Sequence, residues 1–231
     1  MTDDNRRKFL ATAAAVGAMT MSGSTARAQA DDKKDKPDEE VGASEDLMRE
    51  HGVLNRILLI YEEGLRRLRA KAEISPDAFH KPATLVRTFV EDYHEKLEEK
   101  FIFPEFEKAQ KLTDLVSVLR QQHEAGRRVT DIVLRSAAGD QFHKEDARQQ
   151  VIRACEAFIR MYRPHEARED TVLFPALGKM LAPKKLKELG EQFEKEEDRL
   201  FGDEGFEKTV EQVAMIEKQL GIYDLSQFTA K

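Results

Sequence analysis

Two short stretches of the chain share a pattern of a histidine, a glutamate four residues later, and then a Phe-Pro pair. They read HEKLEEKFIFP from His94 and HEAREDTVLFP from His165. Residues four apart in an α-helix lie within about 40° of each other around the axis, so each histidine shares a helix face with its glutamate, Glu98 or Glu169. Both faces are largely apolar, and a buried carboxylate is costly unless it is paired or binds a metal. The pattern therefore indicates metal coordination.

Two further histidines repeat along the chain at a matching distance. The offset from His51 to His123 (123 − 51 = 72) is nearly the same as that from His94 to His165 (165 − 94 = 71). An internal repeat of one helix pair explains both spacings. One His-x3-Glu motif in a chain that is 35% charged is also typical of a solvated helix face, but two copies at matched offset are not. Four imidazoles and two carboxylates suit a pair of first-row metals such as iron, manganese or zinc.

Long helices must position these residues. Apolar residues recur at helical spacing over about 44–72, 82–109, 113–138 and 144–181, with Ser44 as a plausible N-cap. Short connections between such helices predict an all-α fold, an antiparallel up-down-up-down four-helix bundle over residues 45–181. Residues 182–231 predict additional C-terminal helices, which could cap the bundle or form a homodimer contact.

The composition excludes several classes of protein. The 231 residues carry a net charge of −6 without a basic cluster in the body of the chain, which argues against a nucleic-acid partner. No apolar run reaches the roughly 20 residues of a membrane span. The single cysteine, Cys155, precludes an internal disulfide and a cysteine-rich zinc or iron–sulfur site.

The N-terminus resembles an export signal. Arg6 and Arg7 precede a short apolar run and the small-residue sequence ending at Ala30, which is the order of a twin-arginine-type signal peptide over residues 1–30. This resemblance implies a periplasmic protein, carried across the membrane already folded. The charged residues 31–44 lack an apolar period and predict a flexible linker.

The motifs together resemble the hemerythrin-like HHE cation-binding family over about residues 44–181. The matching pieces are Glu50-His51, HEKLEE with its FIFP, His123-Glu124, and HEARED with its LFP. The resemblance implies a four-helix bundle around a non-haem di-iron centre, with two iron ions favoured over manganese or zinc. It assigns His51 and His94 to one iron and His123 and His165 to the other. Glu98 and Glu169 would bridge the two ions.

The chain departs from oxygen-carrying hemerythrins, which have a second histidine four residues after the one on the third helix. Here that position is Arg127. Oxygen carriers also use His-x4-Asp on the last helix, which would select Asp170, whereas the internal repeat favours Glu169. With one imidazole fewer, an open position on an iron would bind or react with a small diatomic or peroxide ligand: oxygen, peroxide or nitric oxide.

Other functions fit part of the pattern. The protein could bind, store or sense iron without catalysis, or it could be a metal-free helical interaction module. A ferritin-like site needs Glu-x2-His on two helices, and only Glu91 with His94 provides it, because Tyr162 occupies the second position.

Several remaining residues receive ordinary structural interpretations. We expect His80 and His143 at the surface, Cys155 as a buried thiol, and Tyr162 in the core with its hydroxyl hydrogen-bonded. Glu95 and Glu166 are expected on a solvated face, although either of them, or Asp170, could add a metal ligand. Pro164 could kink the fourth helix just before His165.

Overall fold

The computed structural model describes residues 42–230. The predicted export signal, residues 1–30, and nearly all of the predicted linker lie outside the described residues. Within residues 42–230 no β-strand occurs, and six helices account for most of the chain, so the all-α prediction is confirmed. The helices are α1 (Ala43–Arg69), α2 (77–109), α3 (Thr113–Ser136), α4 (145–180), α5 (Pro183–Phe201) and α6 (Gly205–Gln219).

Helices α1 to α4 form a closed ring in which each helix packs against two neighbours. Helix α1 contacts α2, α2 contacts α3, α3 contacts α4, and α4 contacts α1. The short connections between successive helices make these neighbours antiparallel. Buried apolar side chains from all four helices fill the interior, among them Ile57, Phe103, Leu119 and Phe158.

The first helix begins at Ala43 with Gly42 as its N-cap, so the prediction of Ser44 as the N-cap is wrong. The larger difference from the predicted boundaries is at the start of α2. This helix begins at Asp77, before Pro82, where the apolar periodicity placed its start. The ring of Phe79 is fully buried against Gly64 of α1, and a Cβ at Gly64 would lie only 2.7 Å from that ring. This close approach across two helices fixes the first turn of α2, and a local pattern does not reveal it.

Two π-helical turns interrupt α2 and α4 at equivalent positions of the repeat. They span Glu98–Ile102 and Glu169–Leu173, so each begins at a predicted bridging glutamate; α2 has a further π-helical segment at Val86–His94. Regular α-helix resumes after each of the two equivalent turns with a proline as its second residue, Pro104 or Pro175. A proline lacks the N–H of the helical ladder and its ring clashes with the carbonyl four residues earlier, and a π turn relieves both problems. The Phe-Pro pairs therefore mark local π turns within continuous helices.

The C-terminal helices α5 and α6 pack mainly on α1 and α2. Phe201 lies edge-on against Tyr93, with ring centroids 5.4 Å apart, and Arg56 of α1 forms a salt bridge with Glu217 of α6 at 2.6 Å. The extension thus covers the outer face of the first helix pair, and the homodimer contact stays a prediction. Among the helices of residues 42–230, not one combines the length and apolar character needed to cross a membrane.

Candidate metal centre

The four repeated histidines meet inside the bundle as two pairs. His51 of α1 and His94 of α2 bring their Nε2 atoms within 3.1 Å of each other. His123 of α3 and His165 of α4 lie with ring centroids 5.1 Å apart. All four rings are buried. Each helix of the bundle therefore contributes one inward imidazole.

Glu98 and Glu169 lie between the two histidine pairs. One carboxylate oxygen of Glu98 is 3.8 Å from Nε2 of His94 and 3.4 Å from Nε2 of His123. One oxygen of Glu169 is 3.3 Å from Nε2 of His51 and 3.1 Å from Nε2 of His165. Each glutamate thus reaches one histidine of each pair. The structure brings all six predicted ligands together in one buried space.

Each histidine forms a hydrogen bond through its other ring nitrogen, Nδ1, on the side that faces away from the centre. An Nδ1–H that donates outward leaves the lone pair on Nε2, directed at the centre. The partners are Asp170 for His51 (2.7 Å), Glu50 for His94 (2.6 Å), Glu99 for His123 (3.1 Å) and Gln122 for His165 (2.9 Å). Asp170 therefore orients a histidine and does not point its carboxylate at the centre.

Sequence reasoning missed the roles of Glu50, Glu99 and Gln122, although the repeat carries a signal for them. Glu50 and Gln122 each directly precede a ligand histidine, and the repeat offset separates them (122 − 50 = 72). Glu99 and Asp170 each directly follow a predicted bridging glutamate, again at the repeat offset (170 − 99 = 71). Polar residues that flank predicted ligands at the repeat offset could have been identified as supports, although each one holds a histidine of a neighbouring helix and not the ligand that it flanks.

Two phenylalanines wall the centre. Phe174 stacks on His51 at a centroid distance of 5.6 Å, and Phe103 stacks on His123 at 5.4 Å. Both belong to the Phe-Pro pairs, and each contacts the histidine of the opposite helix pair. The π turn and the apolar wall are thus consequences of the same short motif.

The interior of the centre contains polar atoms that accept no hydrogen bond. They are both carboxylate oxygens of Glu98, both of Glu169, and Nε2 of His123. Ligand atoms from Glu98, His123, His165 and Glu169 all lie within 4.8 Å of one another, as do atoms from His51, His94 and Glu98. Because buried polar atoms are normally satisfied, these unpaired acceptors fit the ligand set of a cation.

The electrostatics of the centre without a cation reflect crowding of buried charges. Burial raises the pKa of Glu98 well above its ordinary value, and neighbouring Glu169 adds to this rise. Burial acts the same way on Glu169, but His165 and His51 hold its pKa well below the ordinary value. Burial opposes the charged form of His51, yet Asp170 and Glu169 raise its pKa to about 10. Burial lowers the pKa of His123 to about 4.

The sequence predicted Glu95 on a solvated face, but this residue is buried beside His123 and His165, the second histidine pair. Its carboxylate accepts hydrogen bonds from the Tyr162 hydroxyl (2.6 Å) and from Arg127 (2.7 Å), and Arg127 also donates to Glu99 (2.6 Å). These partners on α3 and α4 make burial of the carboxylate tolerable. Gly126 makes room for them, since a Cβ there would overlap the Tyr162 hydroxyl and lie 2.9 Å from its ring.

Glu166 is also buried, contrary to the same expectation. It accepts a hydrogen bond from the Asn55 side chain on α1. Burial raises the pKa of the Glu166 carboxyl to about 8. The hydrogen bond from Asn55 favours the charged carboxylate, but burial is the larger effect on the pKa of Glu166.

The remaining predicted residues follow their structural interpretations. Cys155 is buried, and burial raises the pKa of its thiol. The Tyr162 hydroxyl is satisfied in the core, as expected. His143 is exposed and His80 partly exposed, both away from the centre. Pro164 lies within the uninterrupted α-helical segment Glu145–Arg168, so the backbone departs from α-helix after His165 and not at the proline.

The sequence of the chain matches a known protein family. The sequence pattern of the hemerythrin HHE cation binding domain matches residues 42–177 and, a second time, residues 114–214. The chain belongs to this family. The starts of the two matches are separated by the same offset (114 − 42 = 72) as His51 and His123. The family match supports a bound metal cation.

Relatives occur in mycobacteria. This chain is 52% identical over 195 residues to uncharacterized proteins of Mycobacterium bovis and Mycobacterium tuberculosis, covering 84% of this HHE-family chain and 76% of each relative. No solved structure matches the chain.

Proposed function

We propose that this HHE-family protein holds two iron ions between its histidine pairs and reacts with oxygen, peroxide or nitric oxide. His51 and His94 would bind one ion, His123 and His165 the other, and Glu98 and Glu169 would bridge them. The observation that carries the proposal is the set of unpaired carboxylate oxygens between four inward imidazoles. In a metal-free interaction module the desolvation of Glu98 would remain uncompensated, and only the neighbouring His51 and His165 would offset that of Glu169.

The chain's own residues prepare the centre in three ways. The Nδ1 partners fix which ring nitrogen each histidine presents, so little rearrangement is needed on binding. Phe103 and Phe174 limit access of water to the histidines on which they stack. Bound iron would supply redox chemistry and Lewis acidity toward a small ligand.

Arg127 supports reaction over reversible oxygen carriage. Its guanidinium forms salt bridges with Glu95 and Glu99 and supplies no imidazole to the centre. Each ion would therefore have two histidines and the shared glutamates as protein ligands, which leaves positions for a small molecule.

Metal analysis of the chain, combined with optical spectra, tests this function. The protein isolated gently is expected to contain about two irons per chain and to change its spectrum when oxygen is added to the reduced form. Steady-state turnover with peroxide or nitric oxide would identify an enzyme, whereas loading without turnover would identify an iron-binding or sensing protein. Less than about 0.5 metal per chain would exclude the di-iron centre.

Export to the periplasm belongs to the same proposal and is supported by the sequence of residues 1–30 alone. Cell fractionation of the full chain tests it. Replacement of both Arg6 and Arg7 by lysine is expected to retain the protein in the cytoplasm at full length. Unchanged processing of this variant would exclude the twin-arginine route.

A further inference from the structure

The two candidate metal positions have the same inner ligands but different groups behind them. We call the position of His51 and His94 the first position and that of His123 and His165 the second. Each offers two imidazoles and shares Glu98 and Glu169. Apart from small differences in the glutamate–histidine distances, the positions differ in the groups that accept hydrogen bonds from the histidines.

The sharpest difference is a carboxylate opposed to an amide. Glu50 accepts a hydrogen bond from His94 in the first position, and Gln122 does so from His165 in the second. The two residues occupy equivalent places in the repeat, and Glu50 is only 2% exposed. A buried carboxylate strengthens the basicity of the imidazole it holds, and a neutral amide does so less.

The second difference is a positive charge. Arg127 stands behind the second position and binds Glu99, the carboxylate that holds His123. The equivalent residue of the first helix pair is Asn55 (127 − 55 = 72), a neutral amide. In the first position Asp170 holds His51, and Asn55, the repeat equivalent of Arg127, does not neutralise the Asp170 charge. The Asp170 side chain is 34% exposed, so solvent partly screens this charge.

Both differences act in the same direction, because a cation is favoured where more negative charge lies behind its ligands. We propose that the first position binds its iron more tightly than the second and that Glu50 and Gln122 set this order. This inference rests on the proposed di-iron function. The chain then has a half-loaded state with a defined location for the single ion. Glu50 and Gln122 are positioning residues here, since each acts through a histidine.

Anaerobic competition between the full chain and a ferrous chelator tests the order, with iron per chain as the measurement. The wild type is expected to release its two Fe²⁺ ions in two steps, about 10- to 100-fold apart in chelator concentration. Glu50→Gln should lower the chelator concentration that releases the tightly held ion, which brings the two steps closer together. Gln122→Glu should raise the chelator concentration that releases the weakly held ion. The double exchange Glu50→Gln with Gln122→Glu should restore two steps with the order reversed.

Histidine variants locate the retained ion. In the wild-type background His165→Ala should keep the tightly held iron and His94→Ala should lose it, whereas the double exchange should invert this result. The glutamate–glutamine exchanges are nearly isosteric and keep an oxygen acceptor for Nδ1–H. Thermal unfolding of the metal-free variants verifies that each one folds.

The outcomes separate this inference from the proposed function. Two equally held irons in the wild type, or an unchanged tight step in Glu50→Gln, would overturn the unequal positions and leave the di-iron centre intact. Failure of the wild type to take up added Fe²⁺ would overturn both.

Discussion

The two helix pairs of the bundle present the same residues to the centre and different residues behind it. Helices α1 and α2 supply His51, His94 and Glu98, and helices α3 and α4 supply the equivalent His123, His165 and Glu169. Behind them, the buried Glu95 has a guanidinium and a phenol as partners, whereas its repeat equivalent Glu166 has the Asn55 amide. The two helix pairs thus share the candidate ligands, while their supporting residues differ. The candidate ligands determine which chemistry is available, and the residues behind them provide a different environment for each histidine pair.

The largest expected effect comes from breaking what the halves share. Glu98→Ala and Glu169→Ala should each lower metal content from two ions to below about 0.5 per chain, because each removes a carboxylate that reaches both histidine pairs. Elemental analysis measures this loss. Glu124→Ala, an exposed residue next to His123, is the control and should retain full loading. Full loading of both bridging variants would show that the bridging assignment is wrong.

The next effect tests the close contact between Gly126 and Tyr162 in the second helix pair. Gly126→Ala should destabilise the chain by about 1–3 kcal/mol, because the added methyl displaces Tyr162 from Glu95. Gly52→Ala is the matched control, since a Cβ there meets no atom within 4 Å and alanine favours the helix by up to about 1 kcal/mol. Urea unfolding of the metal-free chains provides the comparison. Equal stability of the two variants would contradict the close-contact interpretation.

A smaller effect isolates the phenol hydroxyl. Tyr162→Phe should cost about 1–2 kcal/mol in unfolding free energy, since buried Glu95 loses one of its two donors. Tyr223→Phe, at a half-exposed position, should change stability little. If the two substitutions have the same effect, the hydroxyl does not support Glu95.

The last effect, a change of slope with pH, concerns Glu166. An ordinary glutamate has a pKa of 4.5, and the folded chain raises that of Glu166 to about 8. The folded state therefore holds this proton more tightly, and its contribution makes the metal-free chain lose stability as pH rises from about 4.5 to about 8. One proton changes the unfolding free energy by at most about 1.4 kcal/mol per pH unit.

Glu166→Gln has no such proton, so its stability should fall less steeply with pH in this range. Urea titrations at several pH values in the presence of a chelator measure both slopes. Identical slopes for the variant and the wild type would show that Glu166 does not titrate in this range.

The sequence was sufficient for the bundle and for the convergence of the six predicted ligands. Helical periodicity defined the long helices, and the matched offsets selected the inward histidines and glutamates from a highly charged chain. These features are local or repeated along the chain, so they can be recognised in the sequence.

Burial of Glu95 and Glu166 could not be predicted in this way. Their partners Tyr162, Arg127 and Asn55 lie on other helices, and the local sequence around each glutamate is typical of a solvated face. The early start of α2 likewise depends on contact between Phe79 and Gly64 of another helix. The π turns had a local signal in the Phe-Pro pairs, but helical periodicity alone continues through them.

The unpaired oxygens of Glu98 and Glu169 also link the survival of the chain to its metal supply. A cation that binds the folded state and not the unfolded one adds about 2.7 kcal/mol of stability when its free concentration is about 100 times the dissociation constant. Proteases act on the small fraction of molecules that open, and that fraction would fall about 100-fold under the same conditions. Chains that obtain iron would then persist, and chains that do not would be degraded first.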